Sequence, residues 1–512
     1  AYHNKRGLIR PRVPIVKLFA SAITIGTGGS GGREGPIAQI GAGFGSFLAT
    51  QLKLSDNDRR ILMAAGLGAG IGAIFHAPLA GAIFAVEVLY TDPDFEAEPL
   101  IPAFISTTVA YTVFSMASML LFGSHAFVPL FTGLQDIAFT SPALLGPLTV
   151  LVLVMVPASL LYVRLFYGTQ RAFRRLPMPR MLKPAVGALL TGVVAVVLFY
   201  SVSGLGHEAQ HDSLSVLSFG YGYLQKVLDP AAPLPLLSVL LVVGLGKLLT
   251  TSLTIGSGGS GGVFGPSMVI GGALGAVVGL VFHRLMPGVV TRPDVIVFAV
   301  LGMASFFAAA AKTPVSTLIM VTELTASYEL LLPSMWVCAL AYLLSRGWTL
   351  YHKQVRSRRE SPAHRGDFII DVLEHLTVRD AMTDTHRQFI TVPMDMPLDD
   401  VSRLITNTTQ QSFPVVDAQG HYYGLFSLND IRQFLYDSHL GALAVAHDLA
   451  TAGVEPIMVQ MQLSDVISRL ARGRLEELPV VDEEDPRTVI AMLRRADVIA
   501  LYDKRLIELR TV

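Results

Sequence analysis

Apolar segments follow one another from Val16 to Tyr351, with short polar interruptions between them. Four of them predict membrane-spanning helices: Leu100–Leu121, Ala143–Leu165, Ala185–Tyr200 and Leu236–Leu253. Others, such as Ile37–Leu48 and Ser267–Phe282, are short or interrupted by glycine and proline, so we expect half-helices or steeply tilted helices there. Non-helical backbone at membrane depth is tolerated only around a protected cavity. The pattern therefore predicts an all-α polytopic membrane domain with broken helices over residues 1–355.

The polar pattern changes after Gln354, where charged residues become frequent. From Thr377 onward, short strand-like runs alternate with amphipathic helical stretches, and Pro-Val-Val-Asp occurs both at Pro414 and at Pro479. This alternation is typical of an α/β domain. The expected parts are a linker over residues 356–376 and two similar α/β repeats over residues 377–437 and 445–505.

One stretch within the apolar region, Gly26–Pro36, has the sequence GTGGSGGREGP. Glycine at this density lets the backbone adopt positive φ and approach a ligand closely, and proline suits the first turn of a helix. The apolar residues that follow predict a buried helix whose first N–H groups form an anion site. Glu34 lies in the middle of these groups, where its carboxylate could occupy the place of the anion.

The stretch is repeated 230 positions later as Gly256–Pro266, with the sequence GSGGSGGVFGP. Further along each copy, a proline precedes a glutamate by nine residues: Pro78 and Glu87, then Pro314 and Glu323. Two repeats with glycine-broken apolar segments are typical of transport folds in which half-helix N-termini meet at a midplane site. A Walker phosphate loop is excluded because neither glycine run is followed by Gly-Lys-Ser/Thr.

The composition agrees with a membrane protein and excludes several function classes. Hydrophobic residues make up 52% of the 512 residues and charged residues 15%, which is too apolar for a soluble protein of this length. A formal net charge of zero gives no basis for nucleic-acid binding. The single cysteine, Cys338, excludes a disulfide framework. No metal-ligating group and no nucleophile–base pair stands out, so we expect neither a metal site nor enzyme activity.

The sequences GREGP at residues 32–36 and GGVFGP at residues 261–266 resemble the two signature loops of the CLC family of chloride channels and proton-coupled chloride exchangers. The resemblance covers Ala1 to about His364. It implies an inverted-repeat membrane fold, a chloride pore within each subunit and a homodimer. The family's serine loop, which binds the inner chloride, has no counterpart here, so we expect that an N-terminal segment with the first helices and this ligand is missing.

The resemblance also assigns roles to single residues. Glu34 matches the family's gating glutamate, which opens the outer path and carries a proton when protonated, while a structural capping role uses the same physics and stays open. Tyr351 matches a tyrosine whose hydroxyl binds the central chloride, although a tyrosine at a helix end is also a common interface anchor. The predicted anion-binding residues, with Arg33 interpreted as a structural member, are Gly32, Arg33, Gly35, Val263, Phe264, Gly265 and Tyr351.

The residue after Glu87 bears on the class of transport. Exchangers of the family often have two consecutive acidic residues here, of which the second transfers protons on the inner side, but this chain has Val88 at that position. Valine binds no proton, which favours a channel, although some family members without that glutamate still exchange protons. Glu87 and Glu323 occupy equivalent repeat positions, which predicts a shared structural role as buried, hydrogen-bonded carboxylates.

The two C-terminal repeats resemble cystathionine-β-synthase (CBS) domains, which form pairs and often bind adenine nucleotides. The motif places a Ser or Thr, and an Asp three residues later, against the nucleotide. This chain has Ser427 with Asp430, and Arg494 with Asp497. Both aspartates also suit helix N-caps, so binding of ATP, ADP or AMP is one of two interpretations.

These observations together predict a multi-pass anion transporter of the plasma or inner membrane. Basic residues collect in Arg171–Lys183 and Arg346–Arg359, which places them and the CBS pair in the cytoplasm. A chloride channel gated by voltage or pH is the first interpretation, a chloride/proton antiporter the alternative, and a nucleotide-sensing membrane protein without transport a third. The expected partners are chloride, protons in the antiporter, the lipid bilayer and a second subunit, with no required cofactor.

Overall fold

The computed structural model describes residues 1–123, 127–134, 137–233, 235–364, 373, 376–383, 386, 388–405, 408, 410–435, 444–473 and 475–511. Residues 365–372, 374 and 375 of the predicted linker, and parts of both predicted CBS ranges, lie outside the described residues. The chain divides into two compact units, Ala1–Ala363 and His364–Val512.

The first unit is built from helices. Their bounds in chain order are α1 Arg12–Gly26, α2 Glu34–Gln51, α3 Asp56–Phe75, α4 Pro78–Glu87, α5 Leu100–Phe122, α6 Leu145–Arg175, α7 Lys183–Ser201, α8 His207–Ser213, α9 Tyr221–Leu228, α10 Leu237–Gly256, α11 Phe264–Leu285, α12 Arg292–Ala311, α13 Pro314–Thr325 and α14 Leu331–Leu344. Within the described ranges, six of these helices are long and apolar enough to cross a membrane, namely α5, α6, α7, α10, α11 and α12. The prediction of an all-α polytopic membrane domain is confirmed.

The helices of the two repeats correspond in order. Helices α1 to α5 match α10 to α14, and each glycine stretch joins the first helix of its repeat to the second. Helices α3 and α12 both end on a residue in the left-handed conformation, His76 with φ 55° and Lys312 with φ 62°. The prolines that start α4 and α13 follow two residues later. The predicted pair of matching repeats with broken helices is therefore present.

Glycines inside α2 and α11 allow close helix contacts and do not break these helices. A Cβ on Gly41 of α2 would lie 2.1 Å from the carbonyl oxygen of Gly66 in α3, so the two backbones touch. Small residues permit this approach between membrane helices. The segments Ile37–Leu48 and Ser267–Phe282 lie in helices of 18 and 22 residues, and α11 is long and apolar enough to cross a membrane, so it is not the expected half-helix. The alternative expectation of a steep tilt stays a prediction.

The carboxylates of Glu87 and Glu323 each cap a helix of the other repeat. Glu87, at the end of α4, accepts the N–H groups of Val315 at 2.9 Å and Ser316 at 2.7 Å, at the start of α13. Glu323, near the end of α13, accepts the N–H of Ala80 at 2.8 Å, at the start of α4. These N–H groups have no partner within their own helices. The predicted shared structural role of the two glutamates is confirmed.

The first unit also includes residues 356–363, which the sequence assigns to the linker. The N–H of Arg358 donates to Oδ2 of Asp94 at 2.8 Å. The hydroxyl of Ser361 lies 2.8 Å from Nδ1 of His3, within hydrogen-bond distance. These contacts hold the segment against the N-terminus and the loop between α4 and α5.

The second unit contains two three-stranded sheets with the same topology. The strands are β1 Val392–Pro393, β2 Ser412–Val416 and β3 Tyr422–Ser427, then β4 Ile457–Met458, β5 Glu477–Val481 and β6 Val489–Arg494. The helices are α15 Val378–Ala381, α16 Leu398–Ile405, α17 Leu428–Leu435, α18 Ala446–Leu449, α19 Leu463–Gly473 and α20 Arg495–Thr511. In both sheets the central strand pairs parallel with the first strand and antiparallel with the third, with a bulge at the same place. The predicted α/β region is confirmed.

Candidate functional site

The two glycine loops meet directly at the starts of α2 and α11. The N–H of Gly32 donates to the carbonyl of Gly262 at 2.8 Å, and the N–H of Gly262 donates back to the carbonyl of Gly32 at 2.6 Å. A Cβ on Gly262 would lie 2.7 Å from the backbone N of Gly35, so this contact requires glycine. The two helix N-termini are held side by side, where their first-turn N–H groups attract an anion.

A second pair of reciprocal hydrogen bonds joins the two copies of the glycine stretch. The N–H of Ser30 donates to Oγ1 of Thr254 at 3.1 Å, and the N–H of Ser260 donates to Oγ1 of Thr24 at 3.2 Å. Both threonines lie at matching positions in the repeated sequence, near the end of α1 and of α10. Each loop is therefore fixed by the helix that precedes the other loop.

Glu34 begins α2, and its side chain is fully buried. Its carboxylate reaches across to the start of α11, where a Cβ on Gly265 would lie 2.9 Å from Oε2, and Oε2 is buried without a hydrogen-bond partner among the described atoms. Oε1 accepts a hydrogen bond of 2.5 Å from the hydroxyl of Tyr221. The carboxylate of one repeat thus lies at the helix N-terminus of the other, where a bound anion would lie.

Phe264, the first residue of α11, belongs to a cluster of aromatic rings. Its ring centroid lies 3.9 Å from that of Phe307, 4.5 Å from that of Phe75 and 6.1 Å from that of Phe84. All four rings are buried. Val263, which precedes α11, makes no side-chain hydrogen bond to the helix end. The backbone N–H groups are therefore the polar surface that α11 offers at this point.

Arg33 and Tyr351 have different surroundings from Glu34. The guanidinium of Arg33 lies 5.7 Å from the ring centroid of Phe219, which is a cation–π distance and agrees with a structural role. Tyr351 is half-buried against the core of the first unit, within electrostatic range of Glu34. Its role as an anion ligand stays a prediction.

Two residues of this site were not predicted from the sequence, Tyr221 and Lys247. Lys247 is fully buried in α10, and its Nζ donates to three backbone carbonyls of the segment Ser215–Ser218 at 2.8 to 3.0 Å. A lysine inside an apolar span is rare and needs partners, so the sequence contained a signal for Lys247. Its repeat counterpart, Lys17, is half-exposed. Tyr221 is one of several aromatic residues in an apolar chain, and no pattern singles it out.

Val88 follows the capping glutamate at the end of α4 and packs half-buried against the core. A buried carboxylate does lie close by in the same loop, that of Glu96, which is 1% exposed. Its N–H donates to the carbonyl of Val86 at 3.3 Å, and its Oε1 accepts a hydrogen bond from the hydroxyl of Tyr90. The loop thus places a titratable group beside the end of α4.

The second unit contains a cavity of about 440 Å³ whose walls include His386, Arg494 and Asp497. Nε2 of His386 donates to Oδ2 of Asp497 at 2.8 Å, and Arg494 forms an ion pair of 3.2 Å with Glu477. Burial raises the pKa of Glu477, and hydrogen bonding and the charge of Arg494 oppose this effect. The cavity therefore offers carboxylate and amide groups suited to hydroxyl groups of a ligand.

The other predicted nucleotide residues do not line this cavity. Oδ2 of Asp430 accepts the N–H and the hydroxyl of Ser427, both at 2.7 Å, at the start of α17. This is the helix-capping arrangement. Among the described residues, no group of three or more His, Cys, Asp or Glu could hold a metal ion.

Two family models match the chain. Residues 1–346 match the model described as voltage gated chloride channel, and residues 378–437 match the CBS domain. A ClcB-like chloride channel protein of Ralstonia nicotianae is 29% identical over 66% of this chain and 72% of its own length. An H(+)/Cl(-) exchange transporter ClcA of Vibrio vulnificus is 30% identical over 64% of this chain and 66% of its own. The crystal structure of a slow cyanobacterial Cl-/H+ antiporter covers 66% of this chain and 73% of its own, with a TM-score of 0.51 and 23% identity.

Proposed function

Because the chain belongs to the voltage-gated chloride channel (CLC) family of integral membrane anion transporters, we propose that it exchanges chloride for protons across a membrane. The observation that carries the proposal is the place of the Glu34 carboxylate, beside the N–H of Gly265 at the start of α11. Chloride needs the same N–H groups, so carboxylate and chloride compete for one site. Protonation of Glu34 removes its negative charge, so chloride then binds to the N–H groups in place of the carboxylate.

Two helix N-termini hold an anion without a full positive charge. Their N–H groups replace the hydration shell of chloride, and the partial charge keeps binding weak enough for release. The buried rings of Phe264, Phe307 and Phe75 form an apolar cluster at the start of α11. In this mechanism each movement of the protonated Glu34 away from the site carries one proton and opens the outer path.

Exchange is favoured over passive conduction by the relatives that are named H(+)/Cl(-) exchange transporters. The second candidate is a channel, and Val88 is the observation that favours it, because a side chain without a titratable group stands where exchangers of the family often have a glutamate. The two candidates differ in one measurable property. An exchanger moves protons in the direction opposite to the flow of chloride, whereas a channel moves chloride alone.

The test uses purified protein in liposomes loaded with chloride. Chloride efflux and proton uptake are recorded together with ion-selective electrodes, in the presence of K⁺ and valinomycin so that K⁺ efflux balances the charge that is moved. Exchange predicts proton uptake that starts with chloride efflux and stops when efflux is blocked. Chloride efflux without proton uptake would favour the channel, and no efflux at all would contradict anion transport.

An exchanger with Val88 needs another carboxylate on the inner side, and we propose Glu96 for this role. The Glu96→Gln variant is expected to keep its chloride efflux while its proton uptake falls at least about tenfold, because an amide cannot accept a proton. The matched control is Glu98→Gln, which removes an exposed carboxylate two residues later and leaves both fluxes unchanged. Full proton uptake in Glu96→Gln would exclude this route.

For the second unit we propose adenine-nucleotide binding in the cavity beside Asp497. A carboxylate there is placed to accept hydrogen bonds from ribose hydroxyls. Isothermal titration calorimetry of ATP into the protein is expected to show binding. The Asp497→Asn variant is expected to lower the ATP affinity about tenfold. Asp430→Asn is the matched control, since Asp430 lies outside the cavity. The ATP affinity of this variant is expected to equal that of the wild type. Absence of ATP binding in the wild type would contradict the proposal.

A further inference from the structure

We propose that Tyr221 is a positioning residue that holds the Glu34 carboxylate in the anion site, and that the segment Leu214–Gly220 fixes the place of this tyrosine. The inference rests on the proposed role of Glu34 as the gate. The hydrogen bond of 2.5 Å from the Tyr221 hydroxyl to Oε1 joins residues 187 positions apart. Tyr221 begins helix α9, which belongs to neither glycine loop.

The segment before Tyr221 is attached to the first glycine loop by its backbone. The N–H of Gly31 donates to the carbonyl of Ser218 at 3.2 Å, and the N–H of Ser218 donates to the carbonyl of Gly28 at 3.4 Å. The ring of Phe219 lies under the guanidinium of Arg33 at 5.7 Å. These contacts fix the position of the segment relative to the loop that carries Glu34.

Lys247 fixes the same segment from the other side. Its Nζ donates to the carbonyls of Ser215, Leu217 and Ser218, which closes the segment around a buried cation. Gly220, the last residue before α9, has φ +79°, and a Cβ there would lie 2.8 Å from the carbonyl oxygen of Ser215. The tyrosine hydroxyl is thus carried by a backbone that has little freedom to move.

Several charged or titratable groups face Glu34 from the elements packed around it. Arg33 precedes Glu34 on the same loop, and Tyr221 reaches its carboxylate from α9. Lys247 in α10 and Tyr351 in the segment after α14 interact with it electrostatically. Of these, Tyr221 donates a side-chain hydrogen bond to the carboxylate. A donor of this kind stabilises the charged form of a carboxylate more than the neutral form.

The expected consequence is that Tyr221 opposes opening of the gate. While Glu34 is ionised, the hydroxyl keeps the carboxylate at the start of α11 and chloride is excluded. Protonation weakens the hydrogen bond and frees the side chain. Loss of the hydroxyl should therefore let the gate open at a lower proton concentration, so that the pH of half-maximal chloride flux moves upward.

Chloride flux from liposomes is measured as a function of external pH for Tyr221→Phe and for the matched control Tyr223→Phe. Tyr223 lies in the same helix, is 4% exposed, and its hydroxyl is buried without a partner among the described atoms. The flux midpoint of Tyr221→Phe is expected to move upward by about one pH unit or more, and that of Tyr223→Phe to stay at the wild-type value. Tyr221→Leu, which also lacks the hydroxyl, should move in the same direction.

A double variant separates positioning from a merely structural effect. In Glu34→Gln the gate no longer titrates, so adding Tyr221→Phe should leave the flux unchanged across pH. A midpoint for Tyr221→Phe equal to the wild-type value, or an equal shift in Tyr223→Phe, would overturn the role of Tyr221 while the transport function stands. If the wild type carries no chloride, the proposed function fails, and with it this inference.

Discussion

The Glu34→Gln variant is expected to carry chloride at every pH and to move no protons. Glutamine has nearly the shape of a protonated glutamate, but it cannot bind or release a proton. An uncharged amide also competes poorly with chloride for the N–H groups at the start of α11. The variant should therefore behave as a gate that is permanently in its protonated state.

The size of this effect follows from the titration of one group. Above the midpoint of the gate, the wild-type flux is expected to fall about tenfold per pH unit, whereas the flux of Glu34→Gln stays level. Proton uptake in the variant should drop to the level of protein-free liposomes. Chloride and proton electrodes on one liposome preparation measure both quantities.

The matched control for this variant is Glu329→Gln, which removes an exposed carboxylate in the same unit. It should keep the pH profile and the proton uptake of the wild type. If the flux of Glu34→Gln kept its pH dependence, another group would be the gate, and Glu34 would be only a helix cap.

The Gly262→Ala variant is expected to lower chloride efflux at least about tenfold, because the two loops cannot meet with a methyl group between them. A Cβ on this residue would lie 2.7 Å from the backbone N of Gly35 and 3.0 Å from the carbonyl oxygen of Gly32. Both neighbours are backbone atoms, so relief requires movement of the loop that carries Glu34. Overpacking of this kind costs about 1–3 kcal/mol or more.

Gly261→Ala is the matched control, one residue earlier in the same loop. The nearest atom to a Cβ there is Cα of Gly31 at 3.5 Å, which is ordinary van der Waals contact. Chloride efflux should fall at least about tenfold in Gly262→Ala and stay near the wild-type rate in Gly261→Ala. Thermal unfolding in detergent shows whether each variant is folded. Equal fluxes in the two variants would contradict the direct loop contact.

The repeated glycine stretches made the central part of the site predictable from the sequence. Two copies of the same rare pattern in an apolar chain placed Glu34 at a helix N-terminus and placed the second loop opposite. The symmetrical capping by Glu87 and Glu323 followed from the same repeat. These features are local in each copy, so a linear sequence contains them.

Features that depend on distant residues were missed. The glycines inside α2 and α11 were interpreted as interruptions, but they face other backbones across helix contacts, which the sequence of one helix does not show. Tyr221 meets Glu34 only because Lys247 and the first glycine loop hold the segment before α9. Lys247 itself was detectable as a charge within an apolar span, but its carbonyl partners are not marked by any side chain.

Competition between the Glu34 carboxylate and an anion for one place is tested most directly by bromide, which scatters anomalously and substitutes for chloride. Crystals of the wild type and of Glu34→Gln would be grown in bromide at neutral pH, and anomalous difference maps compared at the start of α11. The variant is predicted to show a bromide peak beside the N–H of Gly265, where the wild type has its carboxylate and no peak. A variant without bromide there, or a wild type with bromide and the carboxylate placed elsewhere at the same pH, would contradict the account.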